Sequence, residues 1–291
     1  MEYDAIADWE VNLACNYNCS YCYVRNKLNR APIKKIPISK VTKAFDSTDK
    51  KWLVHLTGGE PFLQPDIIEL VAALTKKHFV SINTNLSSDL VYQFGKEIKN
   101  SRIAFFHCSL HLTNTNLDVE GFTKRLNFLK SKGFNCYVTQ VFHPEVIPKF
   151  GYVFDYMIAH GIVVFPKVFK GVFRKARYPE AFKEKERAMF MKFLNLAKSK
   201  QRISNSHIDP NFDETILSSR ISFKGKLCEA GFRFVYITSK GDVLRCHSEK
   251  TALGNIFQGK IQLRDKAEVC KSDICYCQYY GIRFTKRKRL V

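Results

Sequence analysis

Cys15, Cys19 and Cys22 lie in the run Cys-Asn-Tyr-Asn-Cys-Ser-Tyr-Cys. Three thiols this close cannot all pair with one another. As thiolates they can hold one soft metal centre, which means an iron–sulfur cluster, zinc or copper(I). A four-iron cluster is ordinarily held by four cysteines, so three local ones leave one iron for another ligand. A second cysteine group, Cys228, Cys246, Cys270, Cys275 and Cys277, stands near the other end of the chain. Cys108 and Cys136 sit inside apolar runs without ligand types beside them and read as core, where cysteine packs as a small hydrophobe. Between the two groups comes Thr57-Gly58-Gly59-Glu60-Pro61. Its glycines let backbone approach a ligand closely, and the Glu60 carboxylate can accept hydrogen bonds from an ammonium group. His107, Ser109 and His111 alternate along a strand-like run, so they share one face and Cys108 takes the other. Gln140, on the next strand, is a candidate for the same pocket. No side chain is assigned as a catalytic acid, base or nucleophile.

Those residues need a scaffold, and the pattern supplies one. Strands are expected over Glu10–Leu13, Trp52–Leu56, Phe79–Asn83, Ile103–Leu110, Asn135–Phe142 and Ile162–Val168. Helices are expected from near Ser39, after Pro65 with Ile67, Ile68, Val71 and Leu74 on one face, and over about 121–132, 147–160 and 184–198. Gly133 and Gly161 follow two of them, where a left-handed C-terminal cap favours glycine. Strands alternating with helices imply a parallel sheet with right-handed crossovers. The expected fold class is therefore α/β, a partial, open (β/α)6 TIM-like barrel with a small C-terminal domain containing a β-hairpin. The barrel is placed at 1–200, a linker at 201–225 and the C-terminal domain with a basic tail at 226–291. Active sites of parallel sheets lie beyond the carboxyl ends of the strands. The cysteine run follows the first strand, at that end.

The chain has 291 residues, 45% of them hydrophobic, and a formal net charge of +20. No stretch approaches the roughly 18 uninterrupted apolar residues of a membrane span, and the acidic start Met-Glu-Tyr-Asp is unlike a signal peptide. A cytoplasmic location is expected, and in a reducing compartment ten cysteines read as metal ligands rather than as a disulfide framework. The positive charge, dense over 167–187 and in Arg283, Lys286, Arg287, Lys288 and Arg289, would attract nucleic acid, nucleotides, phosphosugars or acidic peptides. It also reads simply as a solvated, lysine-rich surface.

Together the cysteine run and the Gly-Gly-Glu-Pro turn resemble the radical S-adenosylmethionine (SAM) enzymes. The resemblance implies a 4Fe-4S cluster on Cys15, Cys19 and Cys22, with SAM chelating the fourth iron and cleaved to a 5′-deoxyadenosyl radical that abstracts hydrogen from substrate. It further implies that Gly58, Gly59, Glu60 and Pro61 line the methionine end of SAM, that Tyr21 packs by the adenine, and that Ser109 contacts the ribose or carboxylate. Thr84-Asn85 matches a Thr-Asn-Gly turn in which Leu86 replaces the glycine. His111 is either a substrate or cofactor contact or a structural histidine. Cys228, a hairpin turning at Gly241, Cys246 and Leu253-Gly254-Asn255-Ile256 resemble the auxiliary-cluster extensions called SPASM and twitch. That likeness implies one auxiliary 4Fe-4S cluster on Cys228, Cys246, Cys275 and Cys277, with Cys270 competing or serving as a hydrogen donor. A zinc ribbon has the same ligand chemistry. The implied partners are an electron donor such as flavodoxin or ferredoxin and a substrate that is a peptide or protein. An anionic small molecule, a nucleotide or phosphosugar, is the second substrate class. The run begins at Cys15, so no leader-binding domain is expected before it. A different class, a zinc or iron–sulfur nucleic-acid-binding protein, would use the charge. It lacks aromatic residues interleaved with the basic clusters and leaves the Gly-Gly-Glu-Pro turn without a purpose.

Overall fold

The computed structural model describes residues 2–22, 33–114, 116–201, 213–214, 216–217, 222–273 and Cys275. Six strands, β1 (Ala5–Asn12), β2 (Trp52–Gly58), β3 (Phe79–Thr84), β4 (Ile103–Ser109), β5 (Cys136–Phe142) and β6 (Val164–Val168), lie side by side in chain order and all parallel. Helices α1 (Ile38–Asp46), α2 (Ile67–Leu74), α3 (Leu90–Glu97), α4 (Val119–Ser131) and α5 (Ile147–Ala159) fill the crossovers. This is an α/β partial barrel that stays open at β6. After the short pair β7 (Gly171–Phe173) and β8 (Ala176–Tyr178) comes α6 (Glu184–Lys200). Gly133 and Gly161 both take positive φ just beyond α4 and α5, the conformation that stops a helix cheaply only at glycine.

Beyond β9 (Leu227–Cys228), β10 (Phe234–Ile237) pairs in parallel with β1. The strands β11 (Asp242–Leu244), β12 (Ala252–Asn255) and β13 (Lys260–Ile261) then continue antiparallel from it. The C-terminal hairpin thus extends the barrel sheet, giving ten strands in one ladder. Asn255 fixes its turn: its side chain accepts from Phe257 N at 2.8 Å and donates to Lys240 O at 3.1 Å. Separately, β14 (Glu268–Val269) pairs with β9.

Alternation sorts the sheet's two faces. Ala5, Ala7, Trp9 and Val11 join Val41, Phe45, Ile67, Leu70 and Phe106 in the core under the helices. Ile6, Leu53, Phe79, Phe105, Tyr137 and Phe234 pack on the opposite, inner face with Cys228, Cys246 and Cys270. Beyond shifts of one or two residues at strand ends, β1 and α3 differ from expectation. β1 starts at Ala5 rather than Glu10 because Asp8 and Glu10, which interrupt its apolar run, point inward. Helix α3 was not foreseen, since it is only eight residues long and holds Gly95, a poor helix former.

Candidate active site at the ends of the parallel strands

The cysteine run leaves the end of β1 and is laced to the turns after the next four strands. Asn12 is the hinge: its Nδ2 donates to Glu60 O at 3.1 Å and its Oδ1 accepts from Ala14 N at 3.0 Å. Gly59 N donates to Asn12 O at 3.0 Å and Glu60 N to Ala14 O at 2.7 Å. A Cβ on Gly58 would stand 2.2 Å from Asn12 O, and one on Gly59 1.9 Å from Ala14 O. The room those glycines leave is taken by the backbone of the cysteine run. Farther along, Asn16 Nδ2 donates to Ser87 Oγ at 2.8 Å, Asn18 N to Asn114 Oδ1 at 3.3 Å and Ser20 Oγ to Glu145 Oε2 at 2.7 Å.

Glu60 is 1% exposed. It accepts from Phe62 N at 3.0 Å, Thr84 Oγ1 at 2.7 Å and Asn85 N at 2.7 Å, tying the Gly-Gly-Glu-Pro turn, which ends in a 3-10 turn from Pro61, to the turn after β3. Burial pushes its carboxyl up to about 7 despite those donors. Next to Asn85, Leu86 is fully buried at φ +52°. The backbone keeps the left-handed shape that favours glycine, and the leucine side chain fills the core.

N–H donors back the first of the three thiols. Tyr17 N donates to Cys15 Sγ at 3.4 Å, and Asn85 Nδ2 approaches it at 4.0 Å. Burial, then the mutual repulsion of their charges, pushes Cys19 up to about 12; burial raises Cys15 to about 11, with Glu60 and Cys22 adding to the rise. A metal that takes thiolate removes those protons and relieves that repulsion. Among the described residues no three His, Cys, Asp or Glu side chains stand close enough to hold a metal. The donor set, three thiols on one braced loop with N–H groups directed at sulfur, fits the cluster that the resemblance implies.

Tyr21 lies between two histidines that the structure brings to it. Its hydroxyl is 3.0 Å from His111 Nδ1, and its ring is 5.3 Å from that of His143. His111, just past β4, is held neutral by burial, its value lowered to about 4. His107 Nε2 meets Thr139 Oγ1 at 2.6 Å and Ser109 Oγ donates to Asn83 Oδ1 at 3.0 Å, both on the inner face. Gln140 Oε1 accepts from Leu112 N at 3.0 Å, which commits one end of its amide to the loop carrying His111. Deeper on the inner face, Asp8 Oδ2 pairs with His247 Nε2 at 2.7 Å. Sequence reasoning missed Asn12, Asn16, Asn114, His143, Glu145 and the Asp8–His247 pair.

The second cysteine group assembles on the same inner face. Cys228, Cys246 and Cys270 are buried together and Cys275 packs against them. The β9–β14 ladder explains this: Cys228 stands opposite Glu268, and Cys270 N donates to Lys226 O at 2.9 Å. Cys277 lies outside the described residues. Beside the group, Arg245 is 1% exposed, and among the described residues its Nε and Nη2 have no hydrogen-bond partner. As folded these thiols do not stand at ligating distance from one another, but their donor type, with idle buried N–H groups beside them, is that of an anionic metal–thiolate centre.

One comparison with known proteins falls on the part that carries the first site. The Radical SAM superfamily profile matches residues 9–145. A probable GTP 3′,8-cyclase of Saccharolobus islandicus is 35% identical over 89 residues, 27% of this chain and 27% of that protein. Another, from Pyrococcus abyssi, is 27% identical over 97 residues, 33% and 31% of the two chains. The alignments thus span about a third or less of those two relatives. In fold, the chain is similar to Streptococcus suis SuiB bound to S-adenosylmethionine, with a TM-score of 0.61, 15% identity, and coverage of 88% of this chain and 64% of that one. It is also similar to anSMEcpe with bound AdoMet and Cp18Cys peptide, with a TM-score of 0.60, 19% identity, and coverage of 87% and 77%. No helix of the described residues is long and apolar enough to cross a membrane. The braced cysteine loop and its strand-end position fall inside residues 9–145, the part of the chain that matches the Radical SAM superfamily model.

Proposed function

We propose that this chain is a radical SAM enzyme that modifies a peptide or protein, with a second metal–thiolate centre in its C-terminal segment. The observation that carries the first part is the lacing of the Cys15–Cys22 loop to four strand-end turns through Asn12, Asn16, Asn18 and Ser20. A loop held at that many points serves a site whose reacting atoms must be placed accurately. Cys15, Cys19 and Cys22 would hold the cluster. Gly58–Pro61, Thr84, Asn85, Ser109 and Tyr21 would surround SAM. When bound, cluster and SAM together supply a one-electron reductive cleavage that yields a primary carbon radical. The chain's own work is to orient and to exclude water. Neutral His111 and the Tyr21 hydroxyl form a dry wall, and Glu60 locks two turns together. The second centre is assigned to Cys228, Cys246, Cys270 and Cys275, an auxiliary cluster of SPASM or twitch type that takes an electron from the substrate or binds it. An acidic carrier such as flavodoxin or ferredoxin would deliver electrons.

Peptide modification is favoured by the fold neighbour SuiB, solved with its precursor peptide SuiA. A nucleotide or another anionic small molecule is the second reading, favoured by the probable GTP 3′,8-cyclases that match part of the chain. The test is anaerobic reconstitution with iron and sulfide, followed by dithionite and SAM. About eight irons per chain with 5′-deoxyadenosine formed is the expected result. Cys15→Ala should abolish cleavage, whereas Cys246→Ala should keep uncoupled cleavage and lose substrate turnover. Zinc retained without SAM cleavage, together with salt-dependent RNA or DNA binding, would overturn the enzyme reading in favour of a nucleic-acid-binding protein.

A further inference from the structure

Beside the C-terminal cysteine group stands one cation whose donors the described chain leaves partly unsatisfied. Arg245 has one strong partner, Glu249, at 2.6 Å. Its approach to Glu268 is 3.8 Å, beyond hydrogen-bond length, and among the described residues Nε and Nη2 have no hydrogen-bond acceptor. Buried polar groups are almost always satisfied, and an idle donor on a buried charge is expensive. The residue's place gives those donors a purpose. Arg245 immediately precedes Cys246, and the carboxylate it leans toward, Glu268, is the register partner of Cys228. Its positive charge acts on both thiols. The surrounding charge is nearly balanced: Glu229 is 3.6 Å from Arg233, Arg264 is bonded to Glu268, and Lys271 reaches Glu249 at 3.9 Å. Among these groups Arg245 is the most deeply buried cation.

We propose that Arg245 is the positioning and charge-compensating residue of the metal–thiolate centre on Cys228, Cys246, Cys270 and Cys275, and that it sets that centre's reduction potential. This rests on the reading of a second cluster given above. A cluster with four thiolates is already an anion, and reducing it adds a further negative charge. A buried guanidinium favours the more negative state, and N–H groups beside sulfur do the same, because net charge and hydrogen bonds to sulfur set cluster potentials. Without Arg245 the centre should be harder to reduce and a poorer acceptor of an electron from substrate. Lysine would keep the charge while losing the planar fork of donors.

The experiment uses the full chain with Cys15, Cys19 and Cys22 all replaced by Ser, so that only the C-terminal group can load a cluster. After anaerobic reconstitution, iron content and an EPR-monitored redox titration are compared for Arg245, Arg245→Gln and Arg245→Lys, with circular dichroism as the check on folding. The Arg245 chain should hold about four irons. Arg245→Gln should titrate at a lower potential by at least a tenfold change in the oxidised-to-reduced ratio, about 59 mV for one electron. Arg245→Lys should recover at least half of that shift. If Gln loses its iron while Lys keeps it, the charge requirement is supported. The proposal is overturned if Gln titrates where Arg does, if Gln and Lys are displaced equally, or if neither holds iron while both fold. No iron in the Arg245 chain itself would instead defeat the second cluster, and this proposal with it, while leaving the Cys15–Cys22 site standing.

Discussion

Replacing Glu60 by Gln tests whether a buried carboxyl braces the strand-end turns at the expense of stability at neutral pH. In the folded metal-free chain burial raises Glu60 from 4.5 to about 7. Between those values the folded state holds a proton that the unfolded chain has released, so stability falls as pH rises. Below pH 4.5 the contribution is fully present, and above about 7 it is gone. A shift of about 2.5 units at 1.36 kcal/mol each gives a loss of about 3 kcal/mol across the window. Glutamine has nothing to titrate. It also has one oxygen to offer where Glu60 meets Phe62 N, Asn85 N and the Thr84 hydroxyl, so one donor is left idle, a cost of about 1–3 kcal/mol at any pH. The variant should be less stable than the parent near pH 5 and gain on it by about 2.5 kcal/mol by pH 8. Urea unfolding of both proteins under strictly reducing, metal-free conditions at pH 5, 6, 7 and 8 reads this directly. Two stability curves that run parallel within about 0.5 kcal/mol would show that Glu60 does not carry the proton.

Two further substitutions probe the frame around that brace. Leu86 trades a left-handed backbone, a penalty of about 1–2 kcal/mol for an L-residue, against complete burial. Leu86→Ala keeps the penalty and should lose about 2–5 kcal/mol. Leu86→Gly removes the penalty, so its midpoint in urea should match that of Leu86→Ala within about 0.5 kcal/mol; a deficit above about 1 kcal/mol would refute the strain argument. His247→Ala strands the Asp8 carboxylate, whose pairing with His247 holds it below its ordinary value of 3.8 against the upward push of burial. A loss of about 3 kcal/mol is expected at pH 7. It should shrink as pH falls through and below 3.8, because the pair stabilises the fold only while Asp8 is ionised, and a pH-independent loss would mean that the ring's packing alone matters.

The features legible in the sequence were those written over a few neighbouring residues. The thiol spacing, the Gly-Gly-Glu-Pro turn, the helix-ending glycines and the alternation of His107, Cys108 and Ser109 each depend on local geometry, and the six parallel strands followed from their periodicity. What was missed depends on pairs far apart in the chain. Ser20 meets Glu145 across 125 positions and Asn18 meets Asn114 across 96, and no local pattern marks either partner. The pairing of β10 with β1 is of the same kind, which is why the C-terminal hairpin read as a separate unit although its strands extend the barrel sheet.

The net charge of +20 argues for an anionic substrate only if positive charge is gathered where substrate would sit. Among the described residues the inner face of the sheet carries the carboxylates of Asp8 and Glu10, together with His55 and His107, both kept toward their neutral form by burial. Lys167, at the inner end of β6, is tied to Asp213. Lysines such as Lys76, Lys77, Lys130 and Lys132 are exposed instead on the outer helices and their connecting turns. Exposed charges are screened within about 10 Å at 0.1 M salt, so these act on encounters at the surface and hardly on what binds against the sheet. Arg245 is the exception, buried beside the second cysteine group; elsewhere that face offers acceptors and neutral imidazoles, which suit the amides, hydroxyls and amines of a peptide better than the phosphates of a nucleotide, and for that reason the peptide reading is placed first.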